Sequence, residues 1–483
     1  MKEYKLYING EHRSSGNGNV IDSINPNDGS VFAKVHMASK DDIELAIESA
    51  YQAQKKWAKT TPREKEAVLL KAADIFDNRR DDIEEILMKE SGSTLAKCNF
   101  EIGVVSDILR VAAGEARRVN GETFVSNDEG VFSYSLRRPL GVIAGISPFN
   151  APMILSSKKF AFAIAAGNSF VLKPSSQTPV CGLVFGEIFK EAGLPDGVLN
   201  IIPCKSSDLG DTFQKDKRVS MITFTGSTSV GRAIAKSAGE YMKKCTFELG
   251  GKSPVLVLDD ADVKYAVDTA FFGTFMHQGQ ICMAGTRVIV HESLYDEFVK
   301  LFVKKVGTLQ VGDPSDHKTV IGPLIEEKQC SFIDSLVEDA VKRGARVLTG
   351  GVGTNKGCFY QPTTIVDVTP DMDIFQTEAF GPVVAISKAR DTDHAIELAN
   401  DNDYGLSSTV VTNSIENALK CSEEIESGMV HINGPTLQDE AHIPFGGVKM
   451  SGLGREGGRF AIEEMTELKW VTMEALGNHK YPF

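Results

Sequence analysis

The sequence of 483 residues lacks the features that mark several large classes of protein. Its eight cysteines are widely spaced, the closest being Cys181 and Cys204, so no CxxC pair or zinc-type spacing is present and we expect no metal site. No apolar run approaches the roughly 18 residues needed to span a bilayer. Basic residues number 52 against 65 acidic ones, and the net charge of −13 argues against nucleic acid or anionic membranes as partners.

Length and thiol content add two expectations. The chain is too long for one hydrophobic core, so two or three domains are expected. The first residues, MKEYKLYINGEHRSSG, contain no apolar segment of the kind found in signal peptides. Because free thiols persist in reducing compartments, we expect a cytoplasmic protein.

Apolar spacing divides the chain into a helical N-terminal region and two blocks of alternating strands and helices. Up to about residue 120, helices are predicted to begin near Ser39 and Pro62, and no residue there is a candidate for catalysis. Over 141–250 and again over 251–445, short apolar strands alternate with helical segments. This alternation predicts an α/β fold whose parallel sheets are covered on both faces and bind ligands at the carboxyl ends of their strands.

Residues 131–137 have a different pattern. Phe132, Tyr134 and Leu136 alternate with polar residues, which predicts a half-buried strand. If the apolar face protruded, it would favour aggregation unless another subunit covered it. We therefore expect a homo-oligomer.

The segment 221–231, MITFTGSTSVG, predicts a strand, a turn and the start of a helix. The backbone N–H groups that open such a helix, together with its dipole, favour an anion. The segment matches neither G-x-G-x-x-G nor the P-loop pattern. From these residues alone, an ordinary N-cap by Ser227 or Thr228 is the favoured alternative.

Two polar side chains follow other predicted strands. Asn150 lies between two prolines that exclude a regular helix, and it either presents its amide as a donor or makes an Asx turn. Glu248 ends a strand beside two glycines that permit close approach of another group, so it is a candidate general base, although most glutamates are solvated surface residues.

Cys282 lies between a predicted helix that runs to Gly279 and the predicted strand 286–291. A lone cysteine is more often a small buried hydrophobic residue than a nucleophile, and reactivity requires a base or a helix terminus nearby. His277 suggests a Cys–His arrangement, but nothing places its imidazole on the sulfur across the glycine turn.

Considered together, these stretches resemble the aldehyde dehydrogenase family along essentially the whole chain. The motifs that carry the resemblance, in the family's order, are NPNDG (25–29), PFN (148–150), LKPS (172–175), FTGST (224–228) with Gly231, ELGG (248–251), GQIC (279–282), EAFGP (378–382), PFGG (444–447) and SGLGRE (451–456). The resemblance implies two Rossmann-like parallel-sheet domains plus a small β oligomerisation module. It also implies NAD(P)-dependent oxidation of an aldehyde to a carboxylic acid.

The resemblance also divides the chain into domains. It places the NAD(P)-binding domain at 1–122 and 140–250, and the catalytic domain at 251–445. The oligomerisation module would comprise 123–139 and 463–483, and it implies a homodimer or homotetramer.

Catalytic roles carry over to three positions. Cys282 matches the family's nucleophile and would form a thiohemiacetal with the aldehyde. The Asn150 side chain and the Cys282 amide would hold the oxyanion. After hydride transfer to the nicotinamide, Glu248 would activate the water that hydrolyses the thioester.

Cofactor residues carry over in the same way. The expected set is Ser147, Phe149, Lys173, Ser175, Ser176, Gly226, Ser227, Val230, Leu249, Glu378 and Phe380. Many NAD-preferring relatives have a glutamate where this chain has Ser176. Because a carboxylate would repel a 2′-phosphate that a serine can hydrogen-bond, we expect NADP to be accepted as well as NAD.

The substrate tunnel is expected to be mostly apolar. Its lining would comprise Leu155, Lys158, Met276, Ile281, Met283, Pro435, Leu437 and Phe445. Such a lining suits an aryl or medium alkyl aldehyde, and the segment 431–440 resembles the benzaldehyde, vanillin and salicylaldehyde dehydrogenase branch. Lys158 either meets an acidic or hydroxyl substituent or extends to solvent, and we expect the latter.

Three alternatives stay open. A semialdehyde such as succinic semialdehyde could be the substrate. A CoA-acylating enzyme is disfavoured because such relatives usually lack the base found here at Glu248. A non-catalytic family member would tend to lose nucleophile or cofactor residues that this chain retains.

Overall fold

The computed structural model describes residues 2–353, 357–479 and 481–483. The N-terminal region contains five short strands and four helices: β1 (Lys2–Tyr4), β2 (Leu6–Ile8), β3 (Glu11–Arg13), β4 (Val20–Ile24), β5 (Val31–His36), α1 (Lys40–Trp57), α2 (Pro62–Asn78), α3 (Arg80–Ser91) and α4 (Leu95–Glu115). The Ser39 hydroxyl accepts a hydrogen bond from the Asp42 amide and caps α1, and Pro62 is the first residue of α2. Both helices begin where the sequence predicts.

A strand pair and the first alternating block follow. Their elements are β6 (Thr123–Phe124), β7 (Phe132–Pro139), β8 (Val142–Ile146), α5 (Pro152–Ala165), β9 (Ser169–Lys173), α6 (Pro179–Ala192), β10 (Leu199–Ile201), α7 (Ser206–Leu209), α8 (Thr212–Lys215), β11 (Val219–Thr225), α9 (Thr228–Glu240) and β12 (Lys244–Glu248).

The second alternating block and the C-terminal segment complete the chain. Their elements are β13 (Pro254–Val257), α10 (Val263–Phe275), a 3₁₀ turn (Met276–Gly279), β14 (Arg287–His291), α11 (Tyr295–Val306), α12 (Glu327–Lys342), β15 (Arg346–Thr349), β16 (Thr363–Val366), α13 (Asp373–Gln376), β17 (Val383–Ala389), α14 (Thr392–Asn400), β18 (Tyr404–Gly405), β19 (Ser407–Val411), α15 (Ile415–Glu424), β20 (Met429–Ile432), β21 (Val448–Lys449), β22 (Gly452–Leu453), α16 (Gly458–Glu464) and β23 (Thr466–Met473).

Two large sheets form the framework, and each is parallel in its centre. The first has the order β22-β12-β11-β8-β9-β10-β2-β3, in which β12 to β10 are parallel and the strands at both edges are antiparallel. The second has the order β15-β16-β17-β14-β13-β19-β20, in which only β15 is antiparallel. The predicted parallel sheets are therefore correct. The antiparallel edges were not predicted; in the first sheet they come from the short hairpin β2–β3 and from the distant strand β22, and in the second sheet from β15.

Helices cover both faces of the first sheet. On β9, Val171 packs with Ile43 and other α1 residues, whereas its neighbours Phe170 and Leu172 pack with residues of α5 and α6. All of these side chains are buried, so the strand reads as a continuous apolar run rather than an alternating one.

A separate three-stranded sheet has the order β23-β7-β6. Along β7 the serines Ser133 and Ser135 are buried, while Phe132 is 51% exposed. On the paired strand β23, Trp470 is 71% exposed, although its indole N–H donates to the Ser133 hydroxyl at 2.8 Å. The small residues thus face the protein, and the larger apolar side chains face outward.

Candidate active site

A narrow cavity of about 80 Å³ lies where the two alternating blocks meet. Asn150 and Cys282 both lie in its wall. The remaining lining residues come from α4, the region around the start of α5, helix α10, the 3₁₀ turn and the connection that follows it, and the segment before β21. They are Lys97, Phe100, Ala151, Ile154, Leu155, Phe272, Met276, His277, Ile281, Met283, Leu437, Asp439 and Phe445.

The backbone before Cys282 has an unusual conformation. His277 and Gln278 have φ values of 48° and 45°, in the left-handed region that favours glycine. Side chains hold this turn in place, because Gln278 Nε2 donates to the Pro323 carbonyl at 2.7 Å and Gln280 Oε1 accepts from the Ile325 amide at 3.1 Å. The predicted helix down to Gly279 therefore ends earlier, at Phe275, and the last turn is strained.

Cys282 lies in a tightly packed and negatively charged environment. A Cβ atom built on Gly251 would come within 2.1 Å of the Cys282 carbonyl oxygen, which explains why glycine is required there. Burial raises the pKa of the Cys282 thiol, and the carboxylates of Glu378 and Glu248 add to this effect. In this environment the sulfur carries its proton at neutral pH until a base removes it.

Asn150 is buried and lies directly before α5. Its side chain forms no Asx-turn hydrogen bond within the described ranges. Because Asn150 and Cys282 share the cavity wall, a carbonyl group bound there can meet both the side-chain amide and the sulfur.

Glu248 is the last residue of β12 and is buried. Burial and the nearby Glu456 carboxylate raise the pKa of Glu248 well above its usual range, while Lys159 and Lys158 act in the opposite direction. Its Oε2 atom has no hydrogen-bond partner among the described residues, so it can accept a proton. A raised pKa makes this carboxylate a stronger base than an exposed one.

Sequence reasoning missed the ion pair beside Glu248. Lys159 Nζ donates to Glu456 Oε1 at 2.7 Å and to the Thr223 hydroxyl at 3.2 Å, and both charged side chains are buried. The available signal was that Lys158 and Lys159 interrupt the apolar sequence of α5, since two adjacent lysines on a buried helix require partners.

The predicted tunnel residues divide into two groups. Leu155, Met276, Ile281, Met283, Leu437 and Phe445 line the cavity, whereas Pro435 and Lys158 do not.

The expectation that Lys158 reaches solvent is wrong. Its side chain is fully buried, Nζ donates to both carboxylate oxygens of Asp439 at 2.7 and 2.6 Å, and it lies 3.9 Å from the centre of the Phe445 ring. A snorkelling lysine needs a path to water, and here Asp439 and Phe445 occupy the space around the ammonium. Asp439 itself lines the cavity.

Helix α4 contributes to the site, although no chemistry was predicted for it. Lys97 and Phe100 line the cavity, and the Lys97 ammonium pairs with the buried Glu101 carboxylate. The neighbouring His277 is buried, and burial together with the Lys97 charge holds the pKa of His277 well below its usual range. His277 is therefore neutral.

The predicted cofactor residues follow the carboxyl ends of the first sheet's strands. Ser147 and Phe149 come after β8; Lys173, Ser175 and Ser176 end or follow β9; Gly226, Ser227 and Val230 follow β11; and Leu249 follows β12. Glu378 and Phe380 come from the second block, where Glu378 Oε1 accepts from the Gly251 amide at 3.0 Å and Phe380 contacts Phe149 edge-on.

Individual groups at these strand ends have distinct environments. Ser227 is the N-cap residue of α9, but its side chain makes no capping hydrogen bond, so the predicted N-cap position is correct and the capping contact is not formed.

The Lys173 ammonium is buried and has no hydrogen-bond partner among the described residues, and burial lowers its pKa. The Ser147 hydroxyl accepts from Ser156 at 2.8 Å, whereas Ser176 is exposed. Burial raises the pKa of Glu378 to about 7.

Comparison with known proteins defines the class. The model of the aldehyde dehydrogenase family matches residues 12–471, so the chain belongs to the aldehyde dehydrogenase family. It is an oxidoreductase that acts on aldehydes with NAD or NADP.

Individual relatives are similar over nearly their full length. The chain is 41% identical to a benzaldehyde dehydrogenase of Bacillus subtilis and 43% identical to a vanillin dehydrogenase of Corynebacterium glutamicum, with 97% of each chain covered in both cases. The crystal structure of a salicylaldehyde dehydrogenase from Pseudomonas putida G7, complexed with salicylaldehyde, matches with a TM-score of 0.98 and 37% identity over 100% of both chains. These similarities confirm the predicted family and α/β fold.

Neither a membrane-spanning helix nor a metal-binding cluster occurs in the part of the chain that the structure describes. No helix in the described part of the chain is long and apolar enough to cross a membrane. Among the same residues, no group of three or more histidine, cysteine or acidic side chains could hold a metal ion.

Proposed function

We propose that this enzyme oxidises an aromatic aldehyde to the carboxylic acid, with Cys282 as nucleophile, Asn150 as oxyanion donor and Glu248 as general base. The observation that carries the proposal is the shared wall of the cavity, where Cys282 and Asn150 lie among the rings of Phe100, Phe272 and Phe445. An aryl group fits between apolar walls of this kind.

The first step forms the carbon–sulfur bond. Glu248 takes the proton of the Cys282 thiol, and the thiolate attacks the carbonyl carbon. The carbonyl oxygen becomes an oxyanion, to which the Asn150 side-chain amide and the Cys282 backbone N–H donate. Because burial raises the pKa of the Cys282 thiol, a base is needed to form the thiolate, and we assign this role to Glu248.

The second step releases the product. NAD or NADP, when bound at the strand ends, would supply the acceptor for the hydride of the substrate carbon, and Cys282 would then carry the acyl group as a thioester. Once its proton has been lost to solvent, Glu248 takes a proton from water, and the hydroxide adds to the thioester carbonyl. The carbon–sulfur bond then breaks, which yields the carboxylate and restores Cys282.

The groups around the strand ends fit such a coenzyme. Because the Ser227 side chain does not cap α9, the first backbone amides of this helix have no side-chain acceptor. A bound pyrophosphate could accept hydrogen bonds from them. Lys173 and Glu378 would hold ribose hydroxyls, and Val230, which is 47% exposed, would contact the adenine. Ser176 lies in a surface groove that contains Lys328 and also the acidic residues Glu326 and Glu327. We propose that a serine at this position, which adds no negative charge of its own, tolerates a 2′-phosphate, so that NADP is used as well as NAD.

The charges near the cavity favour an aromatic aldehyde over succinic semialdehyde. Lys97 is paired with Glu101, and Lys158 is paired with Asp439, so neither cation is available for a substrate carboxylate. Asp439 lines the cavity with its charge balanced by Lys158, so this pair offers a substrate carboxylate no net attraction.

The test compares two substrates with both coenzymes. We expect kcat/KM for benzaldehyde to exceed that for succinic semialdehyde by at least about 100-fold, the ratio that roughly 2.7 kcal/mol of discrimination gives. Equal or reversed values would support the semialdehyde alternative. Strong stimulation by coenzyme A would support an acylating enzyme, and the absence of NAD(P)H formation with any aldehyde would support a non-catalytic protein.

We further propose that the outward faces of β7 and β23 lie in a contact between subunits of a homodimer or homotetramer. Phe132, Leu468 and Trp470 expose apolar surface that favours burial. Eight unpaired cysteines suit the cytoplasm, where we expect the enzyme to act.

A further inference from the structure

Helix α5, which follows the Asn150 loop, begins without a cap from its own sequence. Its N-cap residue is Ala151, which has no side-chain acceptor, and its first residue is Pro152, which has no N–H group. The first amides that need an acceptor are those of Met153 and Ile154. In a buried helix start, such amides must find a partner elsewhere in the chain.

Glu101, on helix α4, supplies that partner. Its Oε1 atom accepts from the Met153 amide at 2.8 Å and from the Ile154 amide at 3.2 Å, and its side chain is fully buried. Its other oxygen pairs with Lys97, one turn earlier on α4, which balances the carboxylate charge. A carboxylate at the positive end of the α5 dipole is stabilised further.

Glu90 does the same for helix α6. Thr178 provides no capping hydrogen bond, Pro179 has no N–H group, and Glu90 accepts from the amides of Val180 at 3.0 Å and Cys181 at 2.8 Å. The loop before α6 carries Lys173 to Ser176, not Asn150. Glu90 is therefore a control for Glu101, because it also accepts from the first two amides of a helix at a different loop, although it uses both carboxylate oxygens and also accepts from the Ser23 hydroxyl.

We propose that Glu101 is a positioning residue for oxyanion stabilisation, which acts through Asn150. The inference rests on the proposed role of Asn150. Only two residues separate Asn150 from the first amide that Glu101 holds, and the Pro152 ring restricts the backbone between them. Loss of the carboxylate would let the start of α5 shift, and a displacement of about 1 Å at a catalytic group can cost on the order of 100-fold in rate.

The test is a double-mutant cycle in the full-length enzyme. Glu101→Gln, Asn150→Ala and the double variant are compared for kcat with benzaldehyde at saturating NADP. We expect Glu101→Gln to lower kcat roughly 10- to 100-fold with little change in KM for NADP. In the Asn150→Ala background the same substitution should have almost no further effect, because the group it positions is gone.

Glu90→Gln provides the matched control. It should raise KM for NADP, and its effect on kcat should be the same with and without Asn150. Equal effects of Glu101→Gln in both backgrounds, or an unchanged kcat, would overturn the inference. If Asn150→Ala itself leaves kcat unchanged, the proposed role of Asn150 fails instead.

Thermal unfolding of each variant separates positioning from folding. If Glu101→Gln does not fold, the cycle is repeated with Glu101→Asp, which keeps the charge and shortens the side chain. We expect the same dependence on Asn150. Failure of both variants to fold would assign Glu101 to folding alone and would contradict the proposal.

Discussion

Lys159 donates a hydrogen bond of 2.7 Å to Glu456, and this buried ion pair lies beside the Glu248 carboxyl. The two partners act on Glu248 in opposite directions, since the Glu456 charge raises its pKa and the Lys159 charge lowers it. Burial contributes most to the raised pKa of the proposed general base, and these two side chains, which do not line the cavity, adjust it further.

Replacing Glu456 by glutamine should shift the pH dependence of the reaction. Glu248 acts as a base in its ionised form, so activity rises as the pH passes the pKa of Glu248. Removing the negative charge of Glu456 lowers this pKa, and the acidic limb of kcat should move to lower pH. The measurement is kcat with benzaldehyde at pH values from about 5 to about 9.

Lys159→Met is the opposing control for that experiment. It removes a positive charge near Glu248, so the acidic limb should move to higher pH. An acidic limb that stays in place in the Glu456→Gln variant would contradict the proposed base or its electrostatic control.

Breaking the Lys158–Asp439 pair should destabilise the protein. Lys158→Met leaves the Asp439 carboxylate almost buried and without its cation, and the removal of one partner of such a pair typically costs about 3–5 kcal/mol of unfolding free energy. The double variant Lys158→Met, Asp439→Asn should recover most of the loss, because no buried charge remains. Thermal unfolding of the single and double variants measures both effects, and equal stability of Lys158→Met and the unmodified protein would show that the pair is not formed.

Ser176→Glu should separate the two coenzymes. The new carboxylate would repel the 2′-phosphate of NADP but could accept a hydrogen bond from the 2′-hydroxyl of NAD, so we expect KM for NADP to rise at least about tenfold while KM for NAD does not rise. Ser176→Ala is the matched control, since it removes the hydroxyl without adding charge. Equal increases for NADP and NAD would place the 2′-phosphate elsewhere.

Alanine at Gly251 should abolish most of the activity. Its methyl group would come within 2.1 Å of the Cys282 carbonyl oxygen, which belongs to the backbone and can move only if the Cys282 turn moves. A loss in kcat/KM of about 100-fold or more is expected from such a displacement.

Gly250→Ala is the comparison for this variant. Its methyl group would meet Glu378 Oε2 at 2.7 Å, at the end of a side chain that can rotate away. The effect should therefore fall mainly on KM for the coenzyme. If Gly251→Ala were as active as the unmodified enzyme, the turn that carries Cys282 would not need the observed geometry.

Local patterns were sufficient to predict most of the framework. The helix-start signals at Ser39 and Pro62, and the alternation of short apolar strands with helices, predicted helix starts and parallel sheets that the structure contains. The family was evident from motifs, because segments such as ELGG and GQIC have a recognisable order along the chain.

Contacts between distant parts of the chain were not predictable in this way. Glu101 meets the start of α5 across about 50 residues of sequence, and Lys158 meets Asp439 across 281. Neither pairing follows from periodicity, since a lysine on an apolar helix face shows only that a partner is needed and not where it lies. The exposure expected for Lys158 was wrong for this reason.

The most direct test of the account replaces the sulfur of Cys282. With benzaldehyde and NADP, the Cys282→Ser enzyme should lose at least about 1,000-fold in the rate of NADPH formation, since a serine hydroxyl is far less acidic and less nucleophilic than a thiol. Cys330→Ser, which changes another half-buried cysteine on α12, should retain normal turnover. Turnover of Cys282→Ser at the unmodified rate would contradict the account.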